Sequence, residues 1–218
     1  MNNNLGKILL SLIKERRSVR LFNGRKVLGE DILSIIESGT WAPTGCNNQE
    51  LRFLILDKKQ EINEFLKFKP FLKGISAVVL VFCDMSLPQS HETYSSKGGK
   101  NLPYIDTGLA LANMVTYAKS KGIDSCIVNL SEYHFGEREK GCLKRIIKKI
   151  KAVLGFHTSL KNNFEFYLRN QLKVPNHLKI MCGVVFGFAE RYPDVTKEMH
   201  GGRKVMREEV KYYIVHKG

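Results

Sequence analysis

Two polar clusters near the start of this chain hold the side chains best suited to grip an anionic ligand. The first is Arg16-Arg17-Ser18-Val19-Arg20-Leu21-Phe22 and the second is Trp41-Ala42-Pro43-Thr44-Gly45-Cys46-Asn47-Asn48-Gln49. Arg16, Arg17 and Arg20, with Ser18 among them, supply forked donors of the kind that hold a phosphate. Pro43, Thr44, Gly45, Asn47 and Gln49 offer neutral hydrogen-bonding groups and little apolar bulk. Together the clusters describe a site for a ligand with a phosphate at one end and a polar remainder. Flavin mononucleotide (FMN) meets that description.

Other reactive residue types give weaker signals. The histidines His91, His134, His157, His177, His200 and His216 show no metal-binding spacing, and no metal is expected. No Ser/His/Asp set stands out. A glycine-rich dinucleotide fingerprint and a P-loop are both missing from the sequence. The five cysteines are odd in number, widely spaced and never arranged as C-x-x-C. Cys83, Cys126 and Cys182 lie in or beside apolar runs and read as small core residues. A reducing, cytoplasmic setting without structural disulfides is therefore expected. Cys46 sits in the polar loop, but no histidine lies near it in sequence to activate it, so it reads as a small residue near a ligand.

The elements that must position these clusters follow from hydrophobic spacing. Leu5, Ile8, Leu9, Leu12 and Ile13 repeat at helical intervals and lead into the first cluster. A second helix is predicted over Gly29 to Ser38, with Gly39 as its C-terminal cap, and leads into the second cluster. Leu51 to Asp57 reads as a strand, Gln60 to Phe68 as a helix and Ser76 to Cys83 as a buried central strand. Asp84 to Lys100 reads as a loop over a site. Tyr104 to Lys121 is apolar on several sides, which implies burial in the core or in a subunit interface. Strands are predicted at Ser125 to Leu130 and Lys179 to Phe188, and an extended tail at Val210 to Val215. Asp106 in the long helix reads as a structural hydrogen-bonding residue rather than an acid catalyst.

The 218 residues suit one domain, and 43% hydrophobic content with a mean hydropathy of -0.21 suits a packed, soluble one. No apolar run is long enough to span a membrane, and the first residues lack the marks of a signal peptide. The net charge is +14, and the segment from Glu137 to Lys179, with eleven bases against three acids, carries +8 of it. The favoured reading of that segment is a solvated helix face. The alternative is a non-catalytic protein that binds nucleic acid or an anionic surface through the 137–179 segment. Few aromatics alternate with its bases and no nucleic-acid motif is present, which ranks this reading lower. Phe156, Phe164, Phe166 and Tyr167 could cap a ligand pocket or pack inserted helices together.

Four segments, in order, resemble the FMN-dependent nitroreductase family. Arg16 to Phe22 is similar to an R-R-S-x-R-x-F motif, and Ala42 to Gln49 to an A-P-S-x-x-N-x-Q loop. Tyr104 to Asn113, running on to Gly122-Ile123-Asp124-Ser125-Cys126, is similar to a central D-x-G-x-A helix and the strand after it. Gly187-Phe188-Ala189, with Gly202-Arg203-Lys204 downstream, is similar to a closing strand and basic tail. Glu50-Leu51 and Asn129-Leu130 depart from the family pattern, and residues 131–175 read as a basic, helical insertion in a single 1–218 domain.

The resemblance implies an α+β fold, with a central mixed or antiparallel sheet flanked by helices, in an intertwined homodimer. It implies FMN as cofactor, NADH or NADPH as hydride donor, and an electron-poor small molecule as acceptor. Arg16 and Arg203 would hold the phosphate, with Arg17 and Ser18 beside it, and Arg20 would approach the pyrimidine end of the ring. Pro43, Thr44, Gly45 and Asn47 would come from the other subunit, with Gln49 near. The backbone at Val128, Asn129 and Leu130 would face flavin N5, and either Lys69 or Lys73 would add a ring contact.

Overall fold

The computed structural model describes residues 3–87, 102–130 and 164–194. The predicted tail at Val210 to Val215, Arg203, most of the 131–175 insertion and most of the Asp84 to Lys100 loop lie outside them. The apolar repeat of the N-terminus folds as helix α1 (Asn3–Glu15). It ends where the Arg17 guanidinium turns back and donates to the carbonyls of Lys14 and Arg16, satisfying acceptors that the last helical turn leaves open. The chain then forms a short strand β1 (Leu21–Phe22), helix α2 (Gly29–Thr40), strand β2 (Leu51–Leu56), helix α3 (Lys59–Phe68) and strand β3 (Ala77–Asp84). Helix α4 (Leu102–Ser120) leads to strand β4 (Asp124–Asn129), and strands β5 (Leu178–Gly187) and β6 (Ala189–Arg191) follow.

Strands β2, β3, β5 and β4 form an antiparallel sheet in that order. Ser18 adds a parallel bridge to Ser125 on the outer edge of β4, so the sheet is mixed at that margin. β1 and β6 pair separately as a two-stranded ribbon, which the hydrophobic pattern alone does not reveal because each strand is too short to show a period.

Alternation along β3 builds the two cores. Val78, Leu80 and Phe82 point to one face and pack with Phe65 of α3, Phe164, Leu168 and the β4 residues Cys126 and Val128. Ala77, Val79 and Val81 point to the other, against Ile32 and Ile35 of α2 and Leu111, Met114, Val115 and Ala118 of α4. The result is a sheet with helices on both faces, in agreement with the expected α+β class. Phe164 packs on Phe65 and Phe68 and near Tyr167, so it belongs to the core, while Phe166 is exposed. Phe156 lies outside the described residues.

One expectation needs correction. Gly39 does not cap α2 but lies inside it, buried against α4. A Cβ there would come 2.8 Å from Met114 Cγ, so the glycine serves close helix packing. The long helix buries its core face within the single chain, while Ile105, Leu109 and Tyr117 are exposed, so of the two expected settings, core or subunit interface, the chain itself supplies the first for part of the helix only. Leu5, Ile8, Leu9 and Ile13 of α1 are exposed as well, so the single chain leaves two helices with uncovered apolar surface. Among the described residues no helix is long and apolar enough to cross a membrane.

Candidate functional site

The first cluster runs along the outer margin of β4. Val19 N–H donates to the Ser125 carbonyl at 3.0 Å, and the Val19 side chain is buried in the core. Arg16 and Arg20 both act on the Cys126 thiol. Burial raises that thiol above its ordinary range, and the two guanidiniums pull it down. Arg16, Arg17 and Arg20 form no ion pair among the described residues. Arg20 donates only to the Ser18 carbonyl, at 3.3 Å, and Arg17 serves α1. Guanidiniums with no ion pair among the described residues, two of them (Arg16 and Arg17) half-buried, have the chemistry to receive an anion, because arginine cannot shed its charge.

Arg20 is held from below by the turn after α3. Lys73 N–H donates to the Arg20 carbonyl at 3.0 Å, and Phe22 N–H donates to the Lys73 carbonyl at 2.9 Å. Gly74, at φ +65, permits this approach: a Cβ would lie 2.0 Å from the Phe22 carbonyl oxygen. The Lys73 side chain is exposed beside Arg20, whereas Lys69 is buried at the end of α3.

Further along β4, Val128 and Leu130 turn into the core opposite Gly183, where a Cβ would press both side chains at 3.1–3.2 Å. Asn129 and Ile127 point the other way and are exposed. Beyond Ser125 the outer edge of β4 pairs with no strand among the described residues, so its backbone donors face outward.

The second cluster lies elsewhere. Gly45 to Asn47 forms a short 3-10 turn, with Cys46, Asn47 and Gln49 in the left-handed region at φ 54, 55 and 51. Gln49 N–H donates to Thr44 Oγ1 at 3.0 Å, and Gln49 Nε2 donates to Asn47 Oδ1 at 3.1 Å. Pro43, Cys46, Asn47 and Gln49 are exposed. Gly45 N–H donates to both carboxyl oxygens of Asp106, at 3.1 and 3.2 Å, so Asp106 is a hydrogen-bonding anchor as read from the sequence. Glu50, fully buried, hydrogen-bonds the Asp106 carboxyl. Sequence reasoning missed its role, because a glutamate beside a polar loop carries no sign of burial.

The clusters occupy opposite corners of the sheet. Ser18 bridges Ser125, whose partner is Phe186 near the end of β5, while the loop enters β2, whose first residue pairs with Cys83 close to Leu178 at the start of β5. Seven residues along β5, from Lys179 to Phe186, and four strand spacings, counting the one from β4 out to Ser18, put them roughly 23 Å apart along the strands and roughly 19 Å across. One chain therefore does not bring them together. Among the described residues Cys46, Cys83, Cys126 and Cys182 form no disulfide, and the last three are buried as expected.

A model of the nitroreductase family matches residues 13–188. A protein of Archaeoglobus fulgidus described as an NADH dehydrogenase/NAD(P)H nitroreductase is 29% identical over 60% of this chain and 71% of its own length. An iodotyrosine deiodinase of Thermotoga neapolitana is 30% identical over 40% of this chain and 62% of its own. Among solved structures, an FMN-dependent nitroreductase of Clostridium difficile superposes with a TM-score of 0.62 at 19% identity, covering 95% of this chain and 98% of that one. A Desulfovibrio desulfuricans nitroreductase in complex with FMN gives a TM-score of 0.57 at 18% identity over 96% of both chains.

Proposed function

This chain belongs to the nitroreductase family, and we propose that it is an FMN-dependent oxidoreductase passing a hydride from NADH or NADPH to an electron-poor small molecule, nitroaromatic- or quinone-like. The observation that carries this reading is the Arg16–Arg20 cluster, without an ion pair among the described residues and lying along a strand edge that is open among them. The residues present fit the cofactor. Arg16, with Arg203 from beyond the described residues, holds the phosphate, and Ser18 lines its approach. Arg20 and the exposed Lys73 would lie at the pyrimidine end, where cations stabilise the negative charge of the reduced ring and raise its potential. The outward backbone at Val128 to Leu130 would face N5, with Asn129 bordering it. When bound, FMN supplies the redox chemistry by accepting and returning a hydride at N5.

The loop from Pro43 to Gln49 completes the site from a second copy of the chain. Two features support a homodimer: the corner-to-corner separation of the clusters, which no single mononucleotide bridges, and the uncovered apolar surface of α1 and α4. The free thiols suit a cytoplasmic setting.

Absorbance of the pure protein, before and after anaerobic NADH and then NADPH, tests the reading. A yellow protein that bleaches is expected; a colourless one that stays colourless with added FMN refutes it. Arg16→Ala should weaken FMN binding about 10- to 100-fold, the worth of one charged hydrogen-bonding pair. Ile8→Glu with Ile13→Glu, both on the exposed face of α1, should give a folded monomer that no longer holds flavin.

A further inference from the structure

We propose that Asp106 and Glu50 share one proton, and that this proton holds the 43–49 loop in the shape it presents to the flavin across the subunit boundary. The inference rests on the function proposed above and adds two positioning residues to it. Asp106 fixes the front of the loop through Gly45 N–H. Glu50 fixes its rear, where the Glu50 carbonyl accepts the Asp84 N–H at 2.8 Å. Between these anchors Cys46, Asn47 and Gln49 all adopt left-handed backbone that side chains disfavour, so the shape persists only while both ends are held.

A hydrogen bond between two carboxyl groups requires a proton on one of them, since a carboxylate only accepts. Both side chains are buried, Glu50 completely, so a second negative charge would stand against the first without water. Burial is the largest influence on Asp106 and raises it. The Gly45 N–H lowers it, the Glu50 hydrogen bond and charge raise it further, and together they push it up to about 6. Asp106 therefore gives up its proton as the pH rises through about 6.

The other charged groups near the loop lie on β2 and β3 and on or leading into β5. On β2, Arg52 is paired with Asp84 of β3 at 3.2 Å, and His177, leading into β5, faces the same Asp84 at 4.0 Å. Lys179 of β5 lies 5.8 Å from the Tyr104 ring of α4, and Cys83 of β3 is its register partner. Cys46 belongs to the loop itself. Among the described residues the charge that acts on Asp106 is that of Glu50.

The test is flavin titration of the full chain from pH 5.5 to 8, read by fluorescence quenching. It is run with FMN and with riboflavin, because a phosphate has its own ionisation near pH 6. Wild-type affinity for both should fall about tenfold across the range, as loss of one linked proton allows. Glu50→Gln donates an amide N–H to Asp106 at every pH, and Asp106→Asn keeps an acceptor for Gly45, so each should hold its affinity within about twofold. A flat wild-type profile, or variants that keep the wild-type slope, overturns the proposal. Carboxyl carbon NMR of the flavin-free wild type decides it should neither variant fold: one coupled titration for the two groups supports it, and two independent, ordinary carboxylates overturn it. Flavin that fails to bind at any pH refutes the functional reading instead.

Discussion

Replacing Gly74 by alanine breaks the support beneath Arg20 in a way whose size can be worked out. The new Cβ would lie 2.0 Å from the Phe22 carbonyl oxygen and 2.7 Å from its carbonyl carbon, where about 3.0 Å is the closest such an atom sits. The two backbone segments must part by about 1 Å. Three hydrogen bonds join the two segments, Lys73 N–H to the Arg20 carbonyl at 3.0 Å among them, and the two that flank the clash are Phe22 N–H to the Lys73 carbonyl at 2.9 Å and Gly24 N–H to the Gly74 carbonyl at 3.1 Å. Losing both costs about 2 kcal/mol. An alanine at φ +65 adds roughly 1–2 kcal/mol. The expected loss is therefore about 3–4 kcal/mol out of a total of roughly 5–15 kcal/mol, and Tm should drop by about 10 °C. Gly122→Ala is the control, since Gly122 has φ +71 with nothing within 4 Å, and should lose only the backbone contribution of about 1–2 kcal/mol. Urea denaturation at constant m measures both. Flavin affinity should fall in Gly74→Ala and hold in Gly122→Ala. Equal losses of stability in the two variants would refute the reasoning, because the turn would then yield without breaking its bonds.

Asp124→Ala should destabilise by about 2–4 kcal/mol in the same assay, because Asp124 accepts Ala189 N–H at 3.0 Å and Tyr192 Oη–H at 3.1 Å and faces Lys119 Nζ at 3.4 Å, all with 6% of the residue exposed. Asp124→Asn keeps an acceptor and should lose less. Asp84 governs the acid limb of stability. Burial raises its carboxyl, but Ser86, Arg52 and His177 outweigh burial and hold it below its ordinary 3.8. A carboxylate lowered on folding stabilises above its unfolded value and loses that contribution as pH falls through the folded one. Wild type should thus exceed Asp84→Asn in stability at pH 5 and lose that margin on acidification below 3.8.

Helices α1 and α3 and strands β2 and β5 are legible in the sequence because each carries enough apolar residues to show its period, and β3 because it is an unbroken β-branched run. Gly39 misled because a glycine near a helix end signals a cap, and nothing in the sequence shows that Met114 will come to lie on it. The β1–β6 ribbon escaped because two- and three-residue strands have no period at all. The side chains of the site were legible as chemical types, but their separation was not. Only the register Ser18–Ser125 against Leu51–Cys83 reveals that the clusters diverge. The burial of Glu50 had no signal either, because it follows from the bond between Asp84 N–H and the Glu50 carbonyl, which draws the residue in under α4.

Charge placement separates a binding site from a merely basic protein. A chain with 35 bases and 21 acids must leave many bases unpaired, so an unpaired arginine on an open surface carries no message. The described acids are nevertheless placed selectively: Asp84 meets Arg52, Asp124 meets Lys119, Asp31 meets Lys121 and Glu165 meets Arg169. None is placed at Arg16, Arg17 or Arg20, although Arg16 is half-buried, where an uncompensated charge is costly. A lysine there could shed its proton, but a guanidinium cannot. Among the described residues that charge is left without a carboxylate, which is what the proposed phosphate site would require of a residue kept for a ligand rather than for the fold.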